Sequence, residues 1–388
     1  MARILCIYKQ FPAPAVGHAG GESLYHLLAA LHRRGHEISV VARIQESERA
    51  HLGALEAICT QVTTVPHHRG LPGPRWLAFA RSYVALRRAA RRALRTQQPD
   101  LVHVETTQTA VAVLGLRRPP TSYRTQDLNW LLLEQRAAQQ TGLRRRLTRW
   151  SARLARQCEG WLCRRQQLVL AISEGDRRLL APLCGQRPLL LLPLAPACHP
   201  DPHREPAVPP GPNVLFVGAM ARSYNVEGVA WFLDEVWPLI NAQHPTACCY
   251  IVGSHPPEAL RAREDGQRIF VTGFVKDLAA WYQAAAVFIS PLRVAGGLLQ
   301  KVIDALAMGV PVVATSVSNH GVGATDGEHL CIADSAMDFA AAVNALLADP
   351  ALREQLGAAG RLFIQEHYDS EAALARWEQA LEGLLARK

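Results

Sequence analysis

Residues 290–316 read Ser-Pro-Leu-Arg-Val-Ala-Gly-Gly-Leu-Leu-Gln-Lys-Val-Ile-Asp-Ala-Leu-Ala-Met-Gly-Val-Pro-Val-Val-Ala-Thr-Ser, a run that few folds accept. An apolar segment ends at Pro291, and a loop follows through Gly296 and Gly297. A helix then carries Lys301 and Asp304 on nearly one face, because residues three apart are neighbours on a helix surface. Gly309 stops it, and a second apolar segment opens at Pro311. Apolar strand, helix and apolar strand in that order form the repeating unit of a parallel sheet covered on both faces. The turn gathers free backbone N–H groups, a helix N-terminus, one cation and one carboxylate. That set suits a diphosphate with a ribose attached.

The alternation runs through the chain. Ile4–Tyr8 reads as a strand, followed by a loop through Gly17, Gly20 and Gly21. A helix over Glu22–Arg34 places Leu24, Leu27, Leu28 and Leu31 on one face; Gly35 ends it, and Ile38–Ala42 is the next strand. Pro99–Val104 and Gln167–Ser173 are later strands, and Ser173 is placed to cap the helix after it. Pro193 to Pro212 holds eight prolines in twenty residues and belongs to neither core. Beyond it strands are expected at Val214–Gly218, Cys249–Gly253, Ile269–Gly273, Val287–Pro291 and Val312–Thr315. Helices are expected at Val226–Asn241, Leu278–Ala286, from Leu299, and over 336–348, 350–365 and 370–386. The fold class is therefore α/β, two Rossmann-like doubly wound domains facing a central cleft. Their expected bounds are 1–192 and 213–368, with a linker at 193–212 and a last helix, 369–388, able to return to the first domain.

The 388 residues are 49% hydrophobic, enough for two cores, and a charged fraction of 19% argues against wholesale disorder. Charge separates the halves. Residues 1–210 hold 30 Lys and Arg against 14 Asp and Glu, a balance of +16, whereas the remainder holds 12 against 19, a balance of −7. The first half is expected to face something anionic: a phospholipid surface, a lipid-diphosphate acceptor or nucleic acid. A solvated arginine surface is the plain alternative. Nucleic acid is opposed by the acidic second half and by the lack of a recognition motif. The segment Leu143–Leu162 sets Leu143, Leu147, Trp150, Leu154, Trp161 and Leu162 at helical spacing among Arg144, Arg145, Arg146, Arg149, Arg153 and Arg156. It reads as a basic amphipathic helix, docked on a membrane surface or packed on the core with an arginine outer face.

Further patterns narrow the chemistry. Nine cysteines show neither a C-x-x-C pair nor zinc spacing, as expected of thiols in a reducing cytosol. No Asp-x-Asp triplet is present, which weakens a metal-dependent reading. After the first strand the chain offers Gly17-His-Ala-Gly20-Gly21 in place of Gly-x-Gly-x-x-Gly, which opposes a nicotinamide oxidoreductase. The longest apolar run, Pro188–Ala197, is far short of a membrane span, and Met1–Tyr8 lacks the pattern of a signal peptide. The expected location is cytoplasmic, peripheral on the inner face of the plasma membrane.

Asp304-Ala-Leu-Ala-Met-Gly-Val-Pro-Val-Val313, with Phe216-Val-Gly-Ala-Met220, Asn225-Val226, Ile251-Val-Gly253 and Thr272-Gly-Phe-Val275-x-Asp277, resembles family-4-like glycosyltransferases of the two-domain GT-B fold. Their hallmark helix has two glutamates eight positions apart. Here Asp304 stands at the second and Gly296 at the first, as in a subgroup with a glycine loop in place of the first glutamate. The first half fits more loosely, through Gly20-Gly21, Pro99-Asp-Leu-Val-His103 and Ala171-Ile-Ser173.

The resemblance implies a retaining, metal-independent transferase that needs no cofactor. A nucleotide-diphosphate sugar is the co-substrate, and the acceptor is a polysaccharide, a lipid-linked glycan or another glycoconjugate. Lys301 and Arg222 neutralise the leaving diphosphate, although the two positions at which relatives carry phosphate-facing cations here read Ala219 and Tyr224. Asp304 meets the ribose. Gly296, Gly297 and the Leu298 N–H form an anion nest; Arg293, Gly218, Phe274 and Val275 complete the donor side. Gly20, Gly21, His18 and His103 lie on the acceptor side. Glu105 stands where retaining relatives often have a histidine, and Asp127 is a comparable candidate near the reacting centre. Alternatives are a GT-B sugar-nucleotide epimerase and a non-catalytic nucleotide-sugar-binding protein.

Overall fold

A computed structural model describes residues 1–14, 19–66, 75–126, 128–138, 140–295 and 297–386. They divide into two compact units. The first comprises 1–130, 146–195 and 370–388; the second comprises 131–145 and 196–369.

The first unit is built on seven parallel strands: β1 (Arg3–Tyr8), β2 (Glu37–Ile44), β3 (Gln61–Pro66), β4 (Leu101–Glu105), β5 (Thr121–Arg124), β6 (Leu168–Ala171) and β7 (Leu189–Leu191). Their order is β3-β2-β1-β4-β5-β6-β7. Every residue of β4, β5 and β6 is buried; β6 is wholly apolar, whereas β4 and β5 also bury His103, Glu105, Ser122 and Arg124. The helix Ala19–Arg33 lays Leu24, Leu27, Leu28 and Leu31 on Ile4, Cys6, Ile38 and Val40. The last helix, Ser370–Leu385, joins the same core through Ala373, Leu374, Trp377 and Leu381. Arg34 reaches Glu371 and Glu378 at 2.7 and 2.6 Å, and His36 meets Glu378 at 2.8 Å.

The second unit has six parallel strands: β8 (Asn213–Val217), β9 (Cys248–Val252), β10 (Ile269–Gly273), β11 (Val287–Ser290), β12 (Val312–Ala314) and β13 (Cys331–Ile332). They are ordered β10-β9-β8-β11-β12-β13. In both sheets the chain builds outward from its first strand and then crosses to that strand's other side. The switch points lie between β1 and β4 and between β8 and β11, and a crevice opens at the carboxyl ends of strands at such a point. Gly218 and Gly253 follow β8 and β9. A Cβ on Gly253 would lie 1.8 Å from the Gly218 carbonyl oxygen, so the two strand ends meet only because position 253 has no side chain. Gly253→Ala is expected to destabilise the protein by about 1–3 kcal/mol through forced backbone displacement, read as a lowered urea midpoint.

Two expectations shift. The first helix begins at Ala19, so Gly20 and Gly21 belong to its first turn and not to a loop. The helix expected over Val226–Asn241 is Ser223–Trp231, a π turn at Phe232–Val236, and Trp237–Gln243. Pro238 has no N–H to give the preceding turn, and the helix widens just before it. β3 and β5 carry no local strand signal, because Gln-Val-Thr-Thr-Val-Pro and Thr-Ser-Tyr-Arg contain no apolar run.

Candidate active site

The second unit's switch point is assembled from four segments. β8 delivers Phe216 and Gly218; the helix Ser223–Trp231 brings Asn225 in its first turn; β11 runs on to Arg293; and the helix Gln300–Ala307 presents Lys301. Lys301 Nζ donates to Asn225 Oδ1 at 2.8 Å and lies 4.2 Å from the centroid of the Phe216 ring. Asn225 Nδ2 in turn donates to the Ala219 carbonyl at 2.8 Å. A Cβ at Gly218 would stand 3.0 Å from Nζ, so glycine leaves room for the ammonium. Tyr282 Oη holds the Lys301 carbonyl at 3.1 Å. Burial in this apolar setting, with the Arg222 charge nearby, lowers the Lys301 pKa to about 7. A cation in the first turn of a helix also opposes the helix dipole, so the site is short of negative charge.

Gly297 has φ +75° and could not readily be another residue. Gly321 is packed so closely on it that an added Cβ would lie 2.4 Å from the Gly297 oxygen. Leu298 follows, buried. The backbone leaving β11 is held by hydroxyls. Thr315 Oγ1 donates to the Leu292 carbonyl at 2.5 Å, and Ser318 Oγ donates to the Ser290 carbonyl at 2.8 Å. Gln135, from the 131–145 segment of this unit, accepts the Ala295 N–H at 3.0 Å. A cavity of about 380 Å³ beside it is lined by Arg136, Gln140, Ser223, Tyr224, Glu227 and Val294.

Arg222 and Arg293 are exposed, set 5.9 Å from the Tyr224 ring and 5.6 Å from the Trp231 ring. Phe274, after β10, is 60% exposed beside half-buried Val275. Asp304 is buried, and its Oδ1 accepts the Ala197 N–H at 2.7 Å and the Gln300 side-chain amide at 3.0 Å. The carboxylate expected at a ribose thus clamps the start of the proline-rich segment to the helix. Gly296, Asp127 and His18 lie outside the described residues.

The first unit's switch point differs. His103, expected on the acceptor side, and Glu105, expected near the reacting centre, are 0% and 1% exposed and so buried within the first unit. Arg124 contacts Glu105 Oε1 at 2.6 Å, His103 Nε2 lies 3.3 Å from the same oxygen, and Gln126 Nε2 donates to Oε2 at 2.5 Å. His103 Nδ1 meets Ser122 Oγ at 2.8 Å. Burial pushes the Glu105 carboxyl up, but Arg124 and His103 pull it further down, below the usual carboxylate range. Burial also lowers the His103 pKa. The sequence missed what stands around them, since hydroxyls at strand ends carry no pattern. Thr106 follows β4 with φ +73°, a strained conformation for a β-branched residue. Its buried hydroxyl, the Tyr8 hydroxyl and the Thr125 hydroxyl have no hydrogen-bond partner among the described residues.

Comparisons with known proteins agree with this architecture. Residues 211–349 match the family model described as Glycosyl transferases group 1, and residues 20–192 match Glycosyltransferase Family 4. The chain belongs to the group 1, family 4 glycosyltransferases. This family member is 30% identical over 158 residues to the lipopolysaccharide core biosynthesis mannosyltransferase LpsB of Rhizobium meliloti, spanning 38% of the chain and 45% of LpsB. It is 30% identical over 167 residues to an uncharacterised 44.6 kDa protein in the cps region of Klebsiella pneumoniae, 41% of the chain and 43% of that protein. The chain thus spans less than half the length of these curated relatives. Among solved structures, sucrose-phosphate synthase from Thermosynechococcus elongatus covers 100% of both chains at TM-score 0.74 and 18% identity. HepE of Anabaena, solved with UDP-glucose, covers 99% of this chain and 100% of its own at TM-score 0.65 and 14% identity. The fold class of this family member is GT-B.

Proposed function

We propose that the chain is a retaining, metal-independent glycosyltransferase that moves a sugar from a nucleotide-diphosphate sugar to a hydroxyl of a glycan or lipid-linked acceptor. The acceptor is met at the inner face of an anionic membrane, where the protein is peripheral. One observation carries the reading: Lys301 is fixed at 2.8 Å from Asn225 at the carboxyl edge between β8 and β11. The donor diphosphate takes Nζ, the amides at Gly297–Leu298, and the exposed Arg222 and Arg293. The Phe274 ring stacks on the base. As the bond from the anomeric carbon to the diphosphate oxygen breaks, its electron pair goes to that oxygen. The acceptor hydroxyl attacks on the same face, and its proton passes to the departing phosphate. No side-chain nucleophile is required; positioning and charge neutralisation do the chemistry. Family membership, the LpsB likeness and the UDP-glucose bound in the HepE structure support a sugar-nucleotide donor. Thermal-shift measurements with UDP, GDP, dTDP, CDP and their sugars identify it. Transfer in the presence of EDTA, with product anomers read by NMR, tests the reaction. An inverted product, loss of transfer with EDTA, or epimerisation of donor alone each overturns it.

The lowered Lys301 pKa supplies a pH test. Its value of about 7 lies below the ordinary 10.5, so between these the free protein holds this lysine largely neutral while the unfolded chain holds it charged. Stability from this group therefore rises with pH across that window. A bound diphosphate favours the charged form. At about one pH unit above 7, diphosphate binding is expected to take up close to one proton, whereas Lys301→Met takes up almost none. Calorimetry in buffers of different ionisation enthalpy reads the difference.

A further inference from the structure

The helix Gly142–Arg164 does not use its apolar stripe to pack on the protein. Leu143, Leu147, Trp150, Leu154 and Trp161 are 71, 58, 63, 46 and 44% exposed. At about 100° per residue these five positions fall within about 60° of one another. The buried residues Ala152, Glu159, Gly160, Leu162 and Cys163 lie on the other side. Leu162, expected in the stripe, therefore belongs to the core face. Arg144 flanks the stripe on one side; Arg146, Arg149 and Arg153 flank it on the other. The helix has seven arginines and one acidic residue, Glu159, which is buried against the Tyr123 hydroxyl at 2.5 Å. Among the described residues no carboxylate pairs with Arg144, Arg145, Arg146, Arg149 or Arg153.

We infer that this helix is an interfacial anchor that lays Leu143, Leu147, Trp150 and Leu154 into the surface of an anionic bilayer. An apolar ridge flanked by Arg144 on one side and by Arg146, Arg149 and Arg153 on the other matches the acyl boundary and the phosphate layer above it. Trp150, at mid-ridge, has the amphipathic ring that such boundaries favour. A second copy of the chain is a poorer occupant, because stacking two ridges brings like rows of arginines together. No helix among the described residues is long and apolar enough to cross a membrane, so attachment through this helix is lateral. The purpose, reaching a membrane-borne acceptor, rests on the proposed transferase reading; the binding does not.

The test is co-sedimentation of the full chain with vesicles of phosphatidylcholine plus phosphatidylglycerol, without sugar nucleotide. Tryptophan emission is recorded alongside. Binding that weakens with salt and fails on phosphatidylcholine alone is expected. Arg146→Gln, Arg149→Gln and Arg153→Gln together lower the partition coefficient about 10²-fold, roughly fivefold per charge. Trp150→Glu with Leu154→Glu lowers it at least about tenfold. These positions are exposed, so folding is retained, as unchanged circular dichroism checks; nucleotide binding is unchanged as well. Equal binding to neutral vesicles, variants that bind like the parent, or a dimer in solution that Trp150→Glu dissociates would each overturn the inference. Failed sugar transfer with intact vesicle binding would count only against the transferase reading.

Discussion

Lys301→Ala lowers turnover about 10²–10³-fold, the range seen when one preorganised charge-stabilising group is lost from a transition state. The size follows from the setting. Nζ is aligned by Asn225 and the Phe216 face, and the site around it is half-buried, so water replaces the ammonium poorly. The interaction strengthens as the leaving oxygen gains charge, so kcat falls more than the donor's KM rises. Lys301→Arg does not restore the rate. Gly218 leaves space for one ammonium, with a would-be Cβ already 3.0 Å from Nζ, and a guanidinium is larger. Steady-state kinetics with the donor identified by thermal shift checks both variants. Unchanged turnover in Lys301→Ala would remove the residue from the mechanism.

Glu105→Ala destabilises the protein by about 3–5 kcal/mol, because it strands a buried guanidinium. Arg124 is 2% exposed, and Glu105 is the carboxylate that faces it. Gln126 Nε2 and His103 Nε2 lose the oxygens they face in the same step. Urea unfolding reads the change; a loss below about 1 kcal/mol would match a surface ion pair and contradict the buried cluster. The pH dependence has a definite sign. The folded pKa of Glu105 lies below its unfolded value of 4.5, so the contribution is complete above that value and is lost as pH falls through the folded one. The parent protein therefore loses stability on the acid side faster than Glu105→Gln. Glu105→Gln also separates positioning from structure. A folded variant with lowered kcat places the carboxylate in the reaction, whereas normal kcat leaves it as support for Thr106 and the β4 end.

The local pattern of residues was enough to give the strand and helix alternation and the Gly297–Lys301 turn. Apolar runs in β1, β6, β8 and β11 need two covered faces wherever they occur, and Gly309 and Pro311 end a helix whatever lies beside it. Lys301 was legible for the same reason: a cation in the first turn of a helix after two glycines is a local statement. Partnership was not legible. Nothing in the order of residues tells Glu105 that Arg124 and Gln126, nineteen and twenty-one positions on, will occupy its oxygens, or tells Asp304 that Ala197, 107 positions earlier, will take its Oδ1. The stripe on Gly142–Arg164 had the same ambiguity. Helical spacing puts Leu147, Trp150 and Leu154 on one face, but a core and a bilayer ask for the same spacing. Which face turns outward depends on where Ala152 and Cys163 find neighbours, and those neighbours are gathered only when the sheet is assembled.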